Sequence, residues 1–188
     1  RYAQIGGEIQ RALRFMAAIG IDLGAEARLH QVDFWTSHEA LLLGYESALT
    51  RQDSTTGDWY DCSAHMVWIG ERTRQIDGAH VHFMSGIKNP LGVKLGPTAT
   101  PEDALALCQT LNPDREPGRL TLVVRAGAGK VADVLPPLLR AVEDAGHPVV
   151  WACDPMHGNT FTSSSGHKTR AFDDVLAEVT SFFRICHA

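Results

Sequence analysis

The sequence predicts a parallel α/β fold, and three observations predict it. Short apolar, β-branched runs recur about one βα unit apart, segments with helical apolar periodicity separate them, and polar or charged groups follow each run at its C-terminal end. The strand candidates are "HQVDFW" (30 to 35), "HMVWIG" (65 to 70), "LGVKLG" (91 to 96), "RLTLVVR" (119 to 125) and "HPVVWAC" (147 to 153). Each is apolar on both alternations, as expected of parallel strands covered on both faces. Five such units, with helical patterns also at both chain ends, leave two architectures open. One is most of a (β/α)8 barrel, which takes about 250 residues. The other is a small open sheet.

The helices are justified in turn. "Thr100-Pro101-Glu102-Asp103" is a start signal, with a capping hydroxyl, a proline at the first helical position and acids in the first turn. In "KVADVLPPLLRAVEDAG" the residues Val131, Val134, Leu135, Leu138, Leu139 and Val142 share one helix face. Pro136 and Pro137 are expected within its first turn, so the helix should begin close to them, and Gly146 should end it. A last helical face is predicted from Phe172, Val175, Leu176, Val179 and Phe183.

Composition narrows the functional classes. The 188 residues suffice for one domain with a sizeable core, and 44% hydrophobic with 21% charged residues is a globular balance. A net charge of -5 gives no general attraction to nucleic acid or anionic membranes, so neither is an expected partner. Without a run long enough to span a bilayer or a secretory signal, a cytoplasmic protein is expected. The scattered cysteines at 62, 108, 153 and 186 suit reduced, structural thiols. The first residue is Arg1 and the last helix runs into the final residues, so the chain is expected to be a piece of a longer one.

Ionisable groups sit where parallel α/β folds build their sites. Ser37, His38 and Glu39 follow the first run, Glu71 and Arg72 the second, Arg125 ends the fourth, Asp154 and His157 follow the fifth, and Lys94 lies inside the third. A lysine between Val93 and Leu95 needs an anionic partner, either an internal carboxylate such as Glu71 or a bound anion. Arg72 and Arg125 at the same rim favour the anion, one carrying phosphate or carboxylate. Arg72 and Arg74 near a helix start are unfavourable with its dipole unless an anion binds there. A lone histidine in a loop is commonly a surface group. His157, however, lies close after Cys153 and Asp154, beside a Gly158 that would let backbone approach a ligand, so metal ligation is plausible. "KTR" (168 to 170) is either surface charge, the favoured reading, or a second phosphate contact, and "SSSG" before it reads as a mobile loop. "RAGAGK" (125 to 130) lacks the spacing of an ATP phosphate loop.

The blocks "WIGERTRQIDGAH", "NPLGVKLGP", "PGRLTLVVRAG" and "CDPMHGNT" with "GHKTRAFDDVLAEV" resemble the class II 3-deoxy-D-arabino-heptulosonate 7-phosphate (DAHP) synthases. The likeness runs from "RALRFM" to the last residue. It implies an incomplete (β/α)8 TIM barrel with about five βα units present, 1–188 being a single-domain fragment that lacks N-terminal and C-terminal portions. It implies condensation of phosphoenolpyruvate with erythrose 4-phosphate at the first step of the shikimate pathway to aromatic amino acids. Glu71, Arg72, Lys94 and Arg125 are implied to contact phosphoenolpyruvate, with Lys94 and Arg125 catalytic. His157 is the implied ligand of a divalent metal such as Mn or Co. The family's metal cysteine, and its metal glutamate and aspartate, fall outside this chain, so the 188 residues alone are expected to be inactive. A homo-oligomer is also expected. "RAGAGK" departs from the bulkier family form at that loop, which keeps open an aminoDAHP-type synthase of secondary metabolism. The remaining alternative is a catalytically silent paralogue binding a phosphorylated ligand or partner.

Overall fold

A computed structural model describes residues 2–21 and 34–188. The chain falls into two compact units, Arg1–Trp35 and Thr36–Ala188. Within the first unit, helix α1 (Tyr2–Ala18) is closed by Gly20, and Ile21 N–H donates to Met16 O. The predicted strand 30 to 35 falls for residues 30–33 outside the described residues, and 34 and 35 are not in a strand.

The second unit begins with β1 (Ser37–Glu39), the three polar residues expected to follow that strand. Then come α2 (Leu43–Leu49) and a small antiparallel pair, β2 (Thr50–Gln52) and β3 (Trp59–Asp61). Next are β4 (Met66–Ile69), a 3-10 turn (Glu71–Thr73), α3 (Ala79–Ser85), β5 (Leu91–Leu95) and α4 (Pro101–Leu111). The chain continues through β6 (Leu120–Val124), α5 (Val131–Asp144), β7 (Val149–Cys153), a hairpin of β8 (Phe161–Thr162) and β9 (Lys168–Thr169), and α6 (Phe172–Cys186). Strands β1, β4, β5, β6 and β7 form one parallel sheet in that sequential order.

Sequential order has a structural consequence. Right-handed crossovers that never reverse direction lay their helices on one face of the sheet. That face is buried: Val67, Ile69, Leu91, Val93, Leu95, Leu120 and Leu122 pack with Val81, Met84, Leu107, Leu111 and Leu138 from the helices. The other alternation, Met66, Trp68, Lys94, Thr121, Val123, Val150 and Ala152, is half-buried or exposed among the described residues, with Gly92 its buried exception. Among the described residues of this unit, the sheet is thus covered on one face, where cover on both was expected.

The α4 start matches its sequence signal: Thr100 Oγ1 accepts from Asp103 N–H, and the Asp103 carboxylate accepts from Thr100 N–H. The α5 start does not. The helix begins at Val131 and carries Pro136 and Pro137 inside it. Two backbone donors are lost there, but Val131, Leu135, Leu138, Leu139 and Val142 are buried, and that burial outweighs the missing bonds. Gly146 (φ +67) ends α5 as expected, with its own N–H donating to Glu143 O and His147 N–H to Val142 O. Helix α6 is rotated from its predicted face. Glu178 and Phe182 are buried, whereas Phe172, Leu176 and Phe183 are exposed. Among the described residues, no helix is long and apolar enough to cross a membrane.

Candidate active site

The C-terminal ends of the five parallel strands share one rim, and a cleft of about 600 Å3 opens there. Glu39 ends β1, Glu71 and Arg72 follow β4 across Gly70, Lys94 lies near the end of β5, Arg125 follows β6, and Asp154 and His157 follow β7. All five predicted site residues, Glu71, Arg72, Lys94, Arg125 and His157, line this one cleft. Residues spread over the sequence converge because every parallel strand points the same way.

Lys94 occupies the half-open alternation of β5, beside Val123 of β6. Its partner is Asp154: Nζ lies 2.6 Å from Oδ2, with the lysine side chain 17% and the aspartate 9% exposed. The ammonium also stands 5.6 Å from the centre of the Trp68 ring, a cation–π contact. Burial alone would push Asp154 up, but the hydrogen bonds and charges of Lys94 and His157 reverse this and hold its carboxyl below the usual range.

The same carboxylate orients His157. Nδ1 lies 2.7 Å from Asp154 Oδ2, and Asp154 Oδ1 accepts the backbone N–H groups of Met156 and His157. The imidazole is 61% exposed, and among the described residues Nε2 has no hydrogen-bond partner. A carboxylate that fixes one ring nitrogen and leaves the other free is the arrangement of a metal-ligating histidine. Among the described residues, however, no group of three or more His, Cys, Asp and Glu side chains is placed to hold a metal ion. His157 fits one ligand of a metal, and no complete set is described.

Glu71 wedges between elements. Its Oε2 accepts from Gly96 N–H at 2.5 Å, and its Oε1 lies 3.3 Å from Arg74 Nε, while Arg74 Nη1 donates to Asp103 at 3.0 Å. The two arginines that the sequence grouped are therefore separated. Arg72 faces the cleft, whereas Arg74 braces the turn against α4. Arg125 Nη2 donates to His157 O at 2.8 Å, joining the loops after β6 and β7. Gly158 serves that junction: a Cβ there would stand 2.8 Å from Gly127 Cα.

The favoured reading of "KTR", surface charge apart from the site, is corrected. The β8–β9 hairpin brings Lys168 and Arg170 to the cleft, and Arg170 Nε donates to Met156 O at 2.9 Å. Five fixed cations, Arg72, Lys94, Arg125, Lys168 and Arg170, thus face three carboxylates, Glu39, Glu71 and Asp154, a surplus of positive charge in a chain of net -5. Trp68 and Thr160 also line the cleft and were not anticipated; the alternation of β4 could have flagged the tryptophan. Cys153 packs against the buried group of Val124, Val131, Leu135 and Phe182, and its thiol is pushed up to about 12 by burial, then by the nearby Glu178 and Asp154 carboxylates. It is a structural thiol, as expected.

The model of the class-II DAHP synthetase family matches residues 1–188. A phospho-2-dehydro-3-deoxyheptonate aldolase of Streptomyces coelicolor is 58% identical over 185 residues, 98% of this chain and 40% of that protein. A probable chloroplastic phospho-2-dehydro-3-deoxyheptonate aldolase of Catharanthus roseus is 52% identical over 185 residues, 98% of this chain and 37% of that protein. The phospho-2-dehydro-3-deoxyheptonate aldolase AroG of Mycolicibacterium smegmatis is 52% identical over 193 residues, 100% of this chain and 41% of that protein. The chain therefore spans about two fifths of the length of the curated relatives it matches.

Proposed function

The chain belongs to the class-II DAHP synthetase family, and from that premise we propose that the full-length protein condenses phosphoenolpyruvate with erythrose 4-phosphate to DAHP and phosphate. The observation that carries this reading is the meeting of Arg72, Lys94 and Arg125 with His157 in one cleft at the strand ends. Phosphoenolpyruvate brings a phosphate and a carboxylate, and the surplus of cations in the cleft matches them.

In this reading Arg72 and Arg125 hold the two anionic groups, and Lys94 supplies the third positive charge from the floor. Glu71 keeps the rim of β5 and the turn after β4 in register through Gly96 N–H and Arg74. C3 of the enol attacks the aldehyde carbon, water adds at C2, and phosphate leaves by C–O cleavage. His157 Nε2 is the ring nitrogen available to a divalent metal, with Asp154 setting the tautomer and ring orientation. When bound, the metal supplies a Lewis acid for the aldehyde oxygen. Its remaining donors come from sequence beyond this chain.

The same reading makes the 188 residues one part of a (β/α)8 barrel, supported by five parallel strands in sequential order with their helices on one face. The piece alone is then inactive, and the full-length enzyme is a cytoplasmic homo-oligomer. The test is an assay of full-length protein for phosphoenolpyruvate loss with erythrose 4-phosphate, with and without chelator. Loss that requires the sugar phosphate and stops on chelation supports the reading. No loss with erythrose 4-phosphate, or turnover only with an amino sugar phosphate, rejects it.

A further inference from the structure

Glu178 stands one helix away from the cleft, and no step of the condensation calls on it. It is fully buried on α6, an unusual place for a carboxylate. Its two oxygens are both engaged: Oε1 accepts from Gly127 N–H at 2.9 Å, and Oε2 accepts from Asn159 Nδ2 at 2.6 Å. Asn159 in turn donates to Pro155 O at 2.8 Å, and its Oδ1 accepts from Ala128 N–H at 2.9 Å. Two side chains thus clamp the loop after β6 to the loop after β7, at the point where Gly127 and Gly158 meet backbone to backbone.

These loops carry Arg125 and His157, each two residues before a clamped position, Gly127 and Asn159. The Arg125 guanidinium donates to His157 O, so a shift of either loop moves the phosphoenolpyruvate cation and the imidazole together. A carboxylate is the group that can accept from both loops at once, because it has only acceptors and both facing groups are donors. Burial pushes the Glu178 carboxyl up, and the N–H groups of Gly127 and Asn159 partly offset this.

We propose that Glu178, with Asn159, is a positioning residue of the active site: it acts through Gly127 N–H and the Asn159 amide to fix Arg125 and His157 relative to one another. This rests on the reading of the cleft as a phosphoenolpyruvate site. The experiment uses full-length protein and the variants Glu178→Gln, Asn159→Asp and the double variant. In Glu178→Gln one oxygen can still serve Gly127, but the new amide meets the Asn159 amide, donor against donor. In the double variant, the amide introduced on α6 can donate to the carboxylate introduced in the loop after β7, so that bond returns with reversed polarity.

Each single variant should raise KM for phosphoenolpyruvate about tenfold or more, with a smaller change in kcat, since an unpaired buried donor or acceptor is felt at that scale. The double variant should regain part of that loss, the share owed to the bond between the two side chains, because the donation from position 159 to Pro155 O stays lost. Hydrogen exchange at 125–130 and 154–160 should quicken in the single variants and slow again in the double. Unchanged KM and unchanged exchange in folded single variants would overturn the proposal. So would exchange that quickens throughout the chain with no recovery in the double variant. The exchange readout needs no turnover, so an inactive parent protein would reject the proposed reaction while the clamp is still decided by exchange.

Discussion

Replacing Asp154 by Asn removes the charge that ties the loop after β7 to the floor of the cleft. The carboxylate accepts Lys94 Nζ at 2.6 Å, bonds His157 Nδ1 at 2.7 Å, and accepts the N–H groups of Met156 and His157 at 3.1 and 3.3 Å. Asparagine keeps one acceptor oxygen, enough for the two backbone donors, and turns an NH2 group toward the ammonium. Removing one side of a buried pair costs about 3–5 kcal/mol. Lys94 is 17% exposed and can carry its ammonium toward the open cleft, which lowers the expected loss to about 2–3 kcal/mol. Denaturant unfolding of the full-length protein at neutral pH measures it. The pH dependence has a definite sign: the folded carboxyl is lowered from 3.8, so its stabilisation is present above that value and is lost as pH falls through the lower folded value. The variant should therefore lose less stability than the parent on acidification below pH 3.8. A variant within about 0.5 kcal/mol of the parent at neutral pH, with an unchanged acid limb, would refute the role given to this pair.

Three further outcomes are expected. Arg125→Ala in the full-length protein should weaken phosphoenolpyruvate use at least about tenfold, the scale of one charge-assisted contact, as read from kcat/KM. His157→Ala should lower metal content after dialysis, measured by elemental analysis, while the far-ultraviolet circular dichroism stays that of the parent. Gly158→Ala puts a methyl group against the Gly127 backbone, so thermal unfolding should show a loss of about 1–3 kcal/mol, and a Tm equal to the parent's would reject the tight junction.

Much of this was legible because strong local signals coincide with burial. Strands β4 to β7 are apolar on both alternations and were placed within a residue or two; β1 was misplaced, because its residues Ser37, His38 and Glu39 are polar and only pairing with β4 makes them a strand. The capping box of α4 is a local device and is visible as one. The α5 start is not local: tertiary burial of Val131 and Leu135 overrides the prolines. The cations of the cleft were legible at Arg72, Lys94 and Arg125 because strand ends aim them. Lys168 and Arg170 were legible only as the less favoured of two readings, since a hairpin folded back over the rim decides their position. Glu178 was hidden for a similar reason, because the sequence marks the more apolar side of α6 and the packed side is the one that carries this acid.

The uneven charge of the cleft also governs how a ligand arrives. Most of the molecule repels anions, while the rim concentrates positive potential in a partly walled space where field lines are focused. Beyond roughly 8–10 Å mobile ions erase this guidance at physiological salt, so it acts only over the last few solvent layers. In the proposed reading, capture of a multiply charged anion therefore slows as ionic strength rises, while release, set by the contacts assigned to Arg72, Lys94 and Arg125, responds far less. The salt response of the two rates separates guidance from grip.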